Sequence, residues 1–242
     1  MFQYTKHVIL RPFVKAEHTK DGHYYRTEKG ELYPSITTVF KLLDNKEWYG
    51  YWVQSIMKKM DMSETEAEIE CKRIGNSSME VGNELHRIAE NHLKNSVSAV
   101  DYNKDNYEID IDSLGVLLKA HLDEHVNNVN GVELELYSDE LKLAGTADCI
   151  AQYDGVMSII DFKNSRKPKS KSECKKKNYF QQLCAYGQMW ECCTGQKIEQ
   201  GVNLIISWDG KVRPYVVKLA DYEEDLLDTL IKYEHHKALN TI

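Results

Sequence analysis

An Asp-Gly pair between two apolar runs is the feature that most constrains how this chain can fold. Asp154-Gly155 follows the run GTADCIAQY and precedes the run VMSIIDFKNS. The pair predicts a two-residue type I′ hairpin turn, because both central residues of that turn need positive φ. Counting equally from the turn, with Tyr153 opposite Val156, places Asp148 opposite Asp161. The sequence therefore predicts a hairpin with two facing carboxylates near its open end.

The two facing acids predict a bound cation. Opposed Cβ atoms lie about 4.5–5.5 Å apart, where like charges repel. Lys163 lies two residues beyond Asp161 and points to the same side of the strand. Carboxylate oxygens are ligands of Mg²⁺, and a lysine beside the ion would stabilise an attacking water or a phosphate oxygen. The arrangement suits phosphodiester hydrolysis; the alternative is that these residues are strand-end charges in water.

Four blocks of sequence resemble one enzyme family. Asp148 followed by Asp161-Phe162-Lys163 resembles the PD-(D/E)XK nuclease superfamily, although the proline before the first acid is an alanine here. A glycine followed by His86, and the pattern Gln182-x-x-x-Tyr186, resemble its RecB-like exonuclease branch. The stretch YPSITTVFKLL from Tyr33 resembles the N-terminal region of mitochondrial and phage exonucleases. The blocks occur in the order found in the family, between about residues 33 and 190.

The resemblance implies a role for each matched residue. The implied catalytic residues are His86, Asp148, Asp161 and Lys163. The implied ligands of a Mg²⁺ ion, which Mn²⁺ can replace, are His86, Asp148, Asp161 and Phe162. Gln182 and Tyr186 are expected to support the cleft. Some relatives use a further glutamate as a metal ligand, and we expect Glu135 in that place rather than Glu133, although alternation alone does not separate them.

A basic run and an aromatic helix are candidates for DNA contact. From Lys163 to Lys177 the chain carries eight basic residues against the single acid Glu173, which predicts a path for phosphates or, alternatively, a solvated loop. The helix after residue 46 is rich in aromatic residues, which either pack on the domain or stack on bases. The candidate DNA-binding residues are Ser35, Thr37, Trp48, Trp52, Lys167, Lys175, Lys176 and Lys177.

Composition limits the other classes of protein. The formal net charge of −7 argues against a simple basic nucleic-acid binder. No apolar stretch approaches the ~20 residues needed to span a bilayer, and the N-terminus lacks the pattern of a targeting signal. We therefore expect a cytoplasmic protein of bacterial or phage origin that contacts no membrane. The six cysteines include no C-x₂-C pair, so we expect no iron–sulfur cluster.

The order of elements predicts the fold class. Helices come first, followed by the order β-β-β-α-β-β-α, which is typical of an α/β protein with a restriction-endonuclease-like core. We expect a central mixed sheet flanked by helices, with a helical N-terminal elaboration. Residues 1–130 are expected to form a mainly helical region, including the His86 helix, packed on the core. Residues 131–242 are expected to form the nuclease core itself.

The expected function is that of a Mg²⁺-dependent DNA exonuclease acting from the ends of single-stranded DNA. An alternative is a structure-specific or CRISPR-adaptation-like endonuclease. Another is an inactive nuclease-like domain that only binds DNA, although such domains usually lose an acid or the lysine and this chain keeps them all. The sequence leaves protein partners open.

Overall fold

A computed structural model describes residues 1–5, 15–19, 22–44, 47–96 and 109–240. A small antiparallel sheet has the order β1-β2-β3, and a five-stranded sheet has the order β4-β5-β6-β7-β8. The strands are β1 (Lys15–Thr19), β2 (Gly22–Arg26), β3 (Leu32–Pro34), β4 (Val126–Ser138), β5 (Leu143–Tyr153), β6 (Val156–Ser165), β7 (Gln200–Ser207) and β8 (Lys211–Lys218). The helices are α1 (Ile36–Leu43), α2 (Glu47–Met60), α3 (Glu64–Leu93), α4 (Ile111–His125), α5 (Lys171–Lys176), α6 (Tyr179–Thr194) and α7 (Glu223–Asn240).

The large sheet is mixed, which confirms the predicted α/β architecture. β4, β5 and β6 pair antiparallel, β6 pairs with β7 in parallel, and β7 pairs antiparallel with β8. The parallel step requires a crossover, which α5 and α6 supply. The hairpin turn has φ 50° at Asp154 and 80° at Gly155, and Tyr153 pairs with Val156. The predicted turn type and register are therefore confirmed.

Helices cover both faces of the large sheet. α3 and α4 pack on one face, and α6 packs on the other beside α1 and α7. α6 is almost wholly buried because most of its side chains are apolar, which suits the helix that crosses the sheet. The Ser63–Glu66 capping box starts α3, and the helix then runs without a break past His86. α2 packs on α3 through a separate small cluster that includes Val53 and Cys71.

The main difference from the sequence-based assignment lies between α4 and β4. Periodicity predicts a helix from Leu114 to Val129, but α4 ends at His125 and β4 begins at Val126. The segment VNNVNG has β-branched and asparagine residues, which favour extended and turn conformations over helix. The division expected after residue 130 falls inside β4. No helix in the described part of the chain is long and apolar enough to cross a membrane.

Candidate active site

Four polar residues lie at neighbouring positions on four adjacent strands of the large sheet. Glu133 on β4 faces Asp148 on β5, because the flanking positions pair as Val132 with Cys149 and Leu134 with Ala147. Regular pairing of β5 with β6 ends at Cys149 and Ile160, one position before Asp148 and Asp161. Asp161 pairs in turn with Asn203 on β7. We call Glu133, Asp148, Asp161 and Asn203 the polar row.

The side chain of Asp148 links β5 to β6 through a hydrogen bond. Its Oδ2 accepts the backbone N–H of Phe162 at 2.8 Å, one position beyond the last regular pair of the two strands. The same oxygen lies 3.5 Å from Nδ1 of His86. The side chain is 13% exposed, so the carboxylate stands at the border between the sheet and the solvent.

Asp161 is buried and held on both oxygens. Lys163 Nζ donates to Oδ1 and Asn203 Nδ2 donates to Oδ2, each at 2.8 Å. Burial raises the pKa of Asp161 to about 6, and repulsion from Asp148 adds to this effect, while the attraction of Lys163 opposes it. Burial would lower the pKa of Lys163, but the two aspartates outweigh it and the pKa lies above its usual value. Lys163 is therefore an ammonium group, which also lies 5.4 Å from the ring centre of Tyr179.

His86 reaches the polar row from α3, which packs on the face of the sheet opposite to α6. Its Nε2 lies 2.8 Å from the carbonyl oxygen of Phe162, and its ring meets the Phe162 ring edge-on. Because a carbonyl oxygen only accepts, Nε2 carries the proton, and in the neutral ring Nδ1 keeps its lone pair on the side of Asp148. Gly82 lies one turn earlier on α3, where a Cβ would come within 3.6 Å of Asn164.

Glu133, rather than the expected Glu135, lies next to these residues. His86, Glu133 and Asp148 each offer a donor atom within 4.8 Å of the others. Burial and repulsion from Asp148 raise the pKa of Glu133 to about 7. Its backbone is left-handed, with φ 51°, so the side chain departs from the regular alternation on which the sequence-based choice rested. Glu135 pairs with Thr146 further along the strand, and burial raises its pKa as well.

The donor set fits a hard divalent cation. Carboxylates, an imidazole nitrogen and a backbone carbonyl are ligands that Mg²⁺ or Mn²⁺ accepts. Asp161 and Asp148 act on the ammonium group of Lys163, and two of the three carboxylates, Glu133 and Asp161, have raised pKa values. A divalent ion would relieve this excess of negative charge.

Gln182 and Tyr186 lie beneath the polar row, on the α6 side. Both are buried, and Gln182 Nε2 lies 3.5 Å from the Tyr186 hydroxyl. The Tyr186 ring rests against Gly145, where a Cβ atom would come within 3.0 Å of it. Burial raises the pKa of Tyr186, with a further contribution from Asp148 and Asp161, so the phenol is neutral. Their support of the cleft stays a prediction; both side chains are buried against the sheet.

A cavity of about 730 Å³ adjoins the site on the α6 side, and we call it the groove. Tyr179, whose ring centre lies 5.4 Å from Nζ of Lys163, belongs to its lining. Trp48 also lines it, is 52% exposed, and stacks on Trp52 with ring centres 6.0 Å apart. The basic residues of the lining are Lys41, Lys176, Lys177 and Lys232, and the acidic ones are Asp44 and Glu173.

The other candidate DNA-binding residues lie outside the groove lining. Lys175 pairs with Asp225 on α7 at 3.3 Å, and Lys167 is exposed in the loop before α5. Ser35 is buried as the N-cap of α1, where its hydroxyl accepts the backbone N–H of Thr38 at 3.1 Å. Thr37 is exposed in the first turn of α1, and its hydroxyl lies 2.9 Å from that of Ser35.

Asn203 is the member of the polar row that sequence reasoning missed. No motif contains it, and it lies in the otherwise apolar run VNLII. The sequence did hold one signal for Asn203, which is a polar residue inside an apolar run. Such a residue indicates a specific partner, because buried polar groups are uncommon without one.

Comparison with known proteins identifies the family. A profile of the PD-(D/E)XK nuclease superfamily matches residues 43–241. The Mus musculus protein mitochondrial genome maintenance exonuclease 1 is 37% identical over 49 residues, which are 20% of this chain and 14% of the mouse protein. The crystal structure of SSO0001 is 20% identical, with a TM-score of 0.28 over 42% of this chain and 50% of that chain. Because the family match spans most of its length, this chain belongs to the PD-(D/E)XK nuclease superfamily.

Proposed function

We propose that this protein is a divalent-metal-dependent DNA exonuclease that degrades single-stranded DNA from an end. The observation that carries the proposal is that His86, Glu133 and Asp148 offer donor atoms within 4.8 Å of one another, while on the neighbouring strand Asp161 holds the ammonium group of Lys163. Membership of a nuclease superfamily supports phosphodiester hydrolysis as the reaction. The short match to a mitochondrial exonuclease supports action from ends.

Five groups of this chain would hold the ion: Nδ1 of His86, the carboxylates of Glu133, Asp148 and Asp161, and the carbonyl oxygen of Phe162. Mg²⁺ is the expected ion, with Mn²⁺ as its replacement. A bound divalent ion would lower the pKa of a water that it binds, and its positive charge would stabilise the phosphate. The Phe162 carbonyl oxygen, which accepts a hydrogen bond from Nε2 of His86, keeps a second lone pair for the ion.

Lys163 supplies the second positive charge of the site. Its pKa lies above the usual value in the metal-free protein, where it is therefore an ammonium group. Nζ is held at 2.8 Å from Asp161 and lies near the Tyr179 ring, which aims it towards the end of the groove. In that position it stabilises the negative charge that develops on the phosphate oxygens during hydrolysis.

The groove is the proposed path of the single strand. Its lysines would contact phosphates, and the exposed face of Trp48 would stack on a base without reading sequence. A second, more open cavity of about 570 Å³ borders His86 and Glu133 on the α3 side. Two of the proposed metal ligands thus line the second cavity, and the groove approaches the site at Tyr179 beside Lys163.

The test is cleavage of end-labelled single-stranded DNA by the purified protein with Mg²⁺. We expect the wild type to degrade it, and EDTA, Asp161→Asn and Lys163→Ala each to stop degradation while DNA binding in Ca²⁺ persists. Glu140→Gln, an exposed change away from the site, is the matched control. A near-normal rate in Asp161→Asn would refute the metal assignment.

A further inference from the structure

Asn203 is completely buried in the centre of β7, among apolar neighbours. Val202, Leu204, Ile205 and Ile206 are all inaccessible to solvent. A valine or an isoleucine would suit such a strand better, since asparagine has a low strand propensity and its amide loses hydration on burial. The fold alone therefore gives no reason for an asparagine here.

Among the described residues, the Asn203 side chain makes a hydrogen bond through its amino group but not through its oxygen. Nδ2 donates to Oδ2 of Asp161 at 2.8 Å. Its Oδ1 has no hydrogen-bond partner among the described residues. A buried carbonyl oxygen without a partner lowers the free energy of unfolding. The contact with Asp161 is therefore the interaction that can account for Asn203 at this position.

Asp161 depends on this contact for its orientation. Lys163 holds Oδ1 and Asn203 holds Oδ2, so the two donors together fix the plane of a carboxylate that is 1% exposed. Each oxygen still has a lone pair for a cation, because a carboxylate oxygen accepts two bonds. Without Asn203, Oδ2 would be buried with neither water nor a donor, and the side chain could rotate about its last bond.

We propose that Asn203 is a positioning residue that holds the Asp161 carboxylate in line with Asp148 for a divalent ion. The inference rests on the proposed function, because it concerns the same ion. Partners that orient a ligand in this way typically contribute 10–100-fold to metal affinity or activity. Asn203 itself touches neither the ion nor the DNA in this proposal.

The experiment is a calorimetric titration of the metal-free protein with Mn²⁺ alone. Asn203→Val, and the smaller Asn203→Ser, should bind Mn²⁺ at least about tenfold more weakly than the wild type. In cleavage assays, kcat at a fixed Mn²⁺ concentration should fall while KM for DNA stays unchanged. Ile206→Val is the matched control, because it lies on the same strand, is equally buried and packs on the opposite face.

A double variant separates positioning from a structural role. If Asn203 acts through Asp161, adding Asn203→Val to Asp161→Asn should weaken Mn²⁺ binding no further. Wild-type Mn²⁺ affinity in both folded Asn203 variants would overturn this inference alone, provided that Asp161→Asn binds weakly. Wild-type affinity in Asp161→Asn, or no binding by the wild type, would overturn the proposed function and this inference together.

Discussion

The carboxylate of Asp148 accepts the backbone N–H of Phe162 at 2.8 Å, which joins the middle of β5 to the strand that carries Asp161 and Lys163. The contact lies one position beyond regular strand pairing. It means that Asp148 has a structural role as well as its proposed role as a metal ligand, and the two roles can be separated by substitution.

We expect Asp148→Asn and Asp148→Ala to differ in stability but not in activity. The asparagine keeps an oxygen that accepts the Phe162 N–H, whereas alanine leaves that N–H without its partner, which costs about 1–3 kcal/mol. Both variants lack the charge and should lose cleavage. Chemical denaturation of the metal-free proteins measures the difference, and equal stability of the two variants would show that the contact contributes nothing.

Glu133→Gln should stabilise the metal-free protein above about pH 7. The pKa of Glu133 is raised from 4.5 to about 7 in the folded state, so folding favours the protonated acid. Its ionised form therefore reduces stability as pH rises from 4.5 to 7, and below 4.5 it has no effect. Glutamine removes this penalty, which we expect to be about 1–2 kcal/mol after discounting for solvent screening.

Thermal unfolding at several pH values checks this expectation. Glu140→Gln serves as the control because the residue is exposed. Mn²⁺ should then raise the unfolding temperature of the wild type more than that of Glu133→Gln. A variant that is less stable than the wild type at high pH would contradict the raised pKa of Glu133. A variant stabilised by Mn²⁺ as much as the wild type would exclude Glu133 from the proposed metal site.

Much of the candidate site follows from the hairpin, because a tight turn fixes the register of every later pair. The Asp-Gly turn fixed the pairing from Tyr153–Val156 to Cys149–Ile160, and counting one position further predicts Asp148 beside Asp161. The same reasoning fails on β4, since alternation assumes an extended backbone and Glu133 is left-handed. The contact of Asn203 with Asp161 could not be predicted for another reason. The two residues lie on parallel strands, and the crossover between β6 and β7 leaves no local sequence signal of their register.

The basic residues near the groove should contribute unequally to DNA binding. Lys176 and Lys177 line the groove, whereas Lys175 pairs with Asp225 and lies near the Tyr222 ring. Lys176→Gln with Lys177→Gln should therefore weaken binding of single-stranded DNA in Ca²⁺. The slope of log K against log salt should become shallower by about 0.7 per lost phosphate contact. Lys175→Gln is the matched control, and equal effects from both changes would place the strand outside the groove.

Trp48→Ala should weaken binding of single-stranded DNA, while Tyr51→Ala should not. Trp48 lines the groove, whereas Tyr51 lies on the same helix, is 70% exposed and does not line it. Loss of one stacked base is worth about 1–3 kcal/mol, or roughly 5- to 150-fold in affinity. Fluorescence anisotropy with labelled oligonucleotides measures this change. Unchanged affinity in Trp48→Ala would exclude base stacking on Trp48.

The most direct test of the central claim compares linear and circular single-stranded DNA of the same sequence, incubated with the protein and Mg²⁺. A metal-dependent enzyme that degrades single strands from an end should consume the linear DNA, leave the circle intact and stop when EDTA is added. Cleavage of the circle as fast as the linear DNA would contradict action from ends and favour an endonuclease. Survival of both forms in Mg²⁺ and in Mn²⁺ would contradict the nuclease itself.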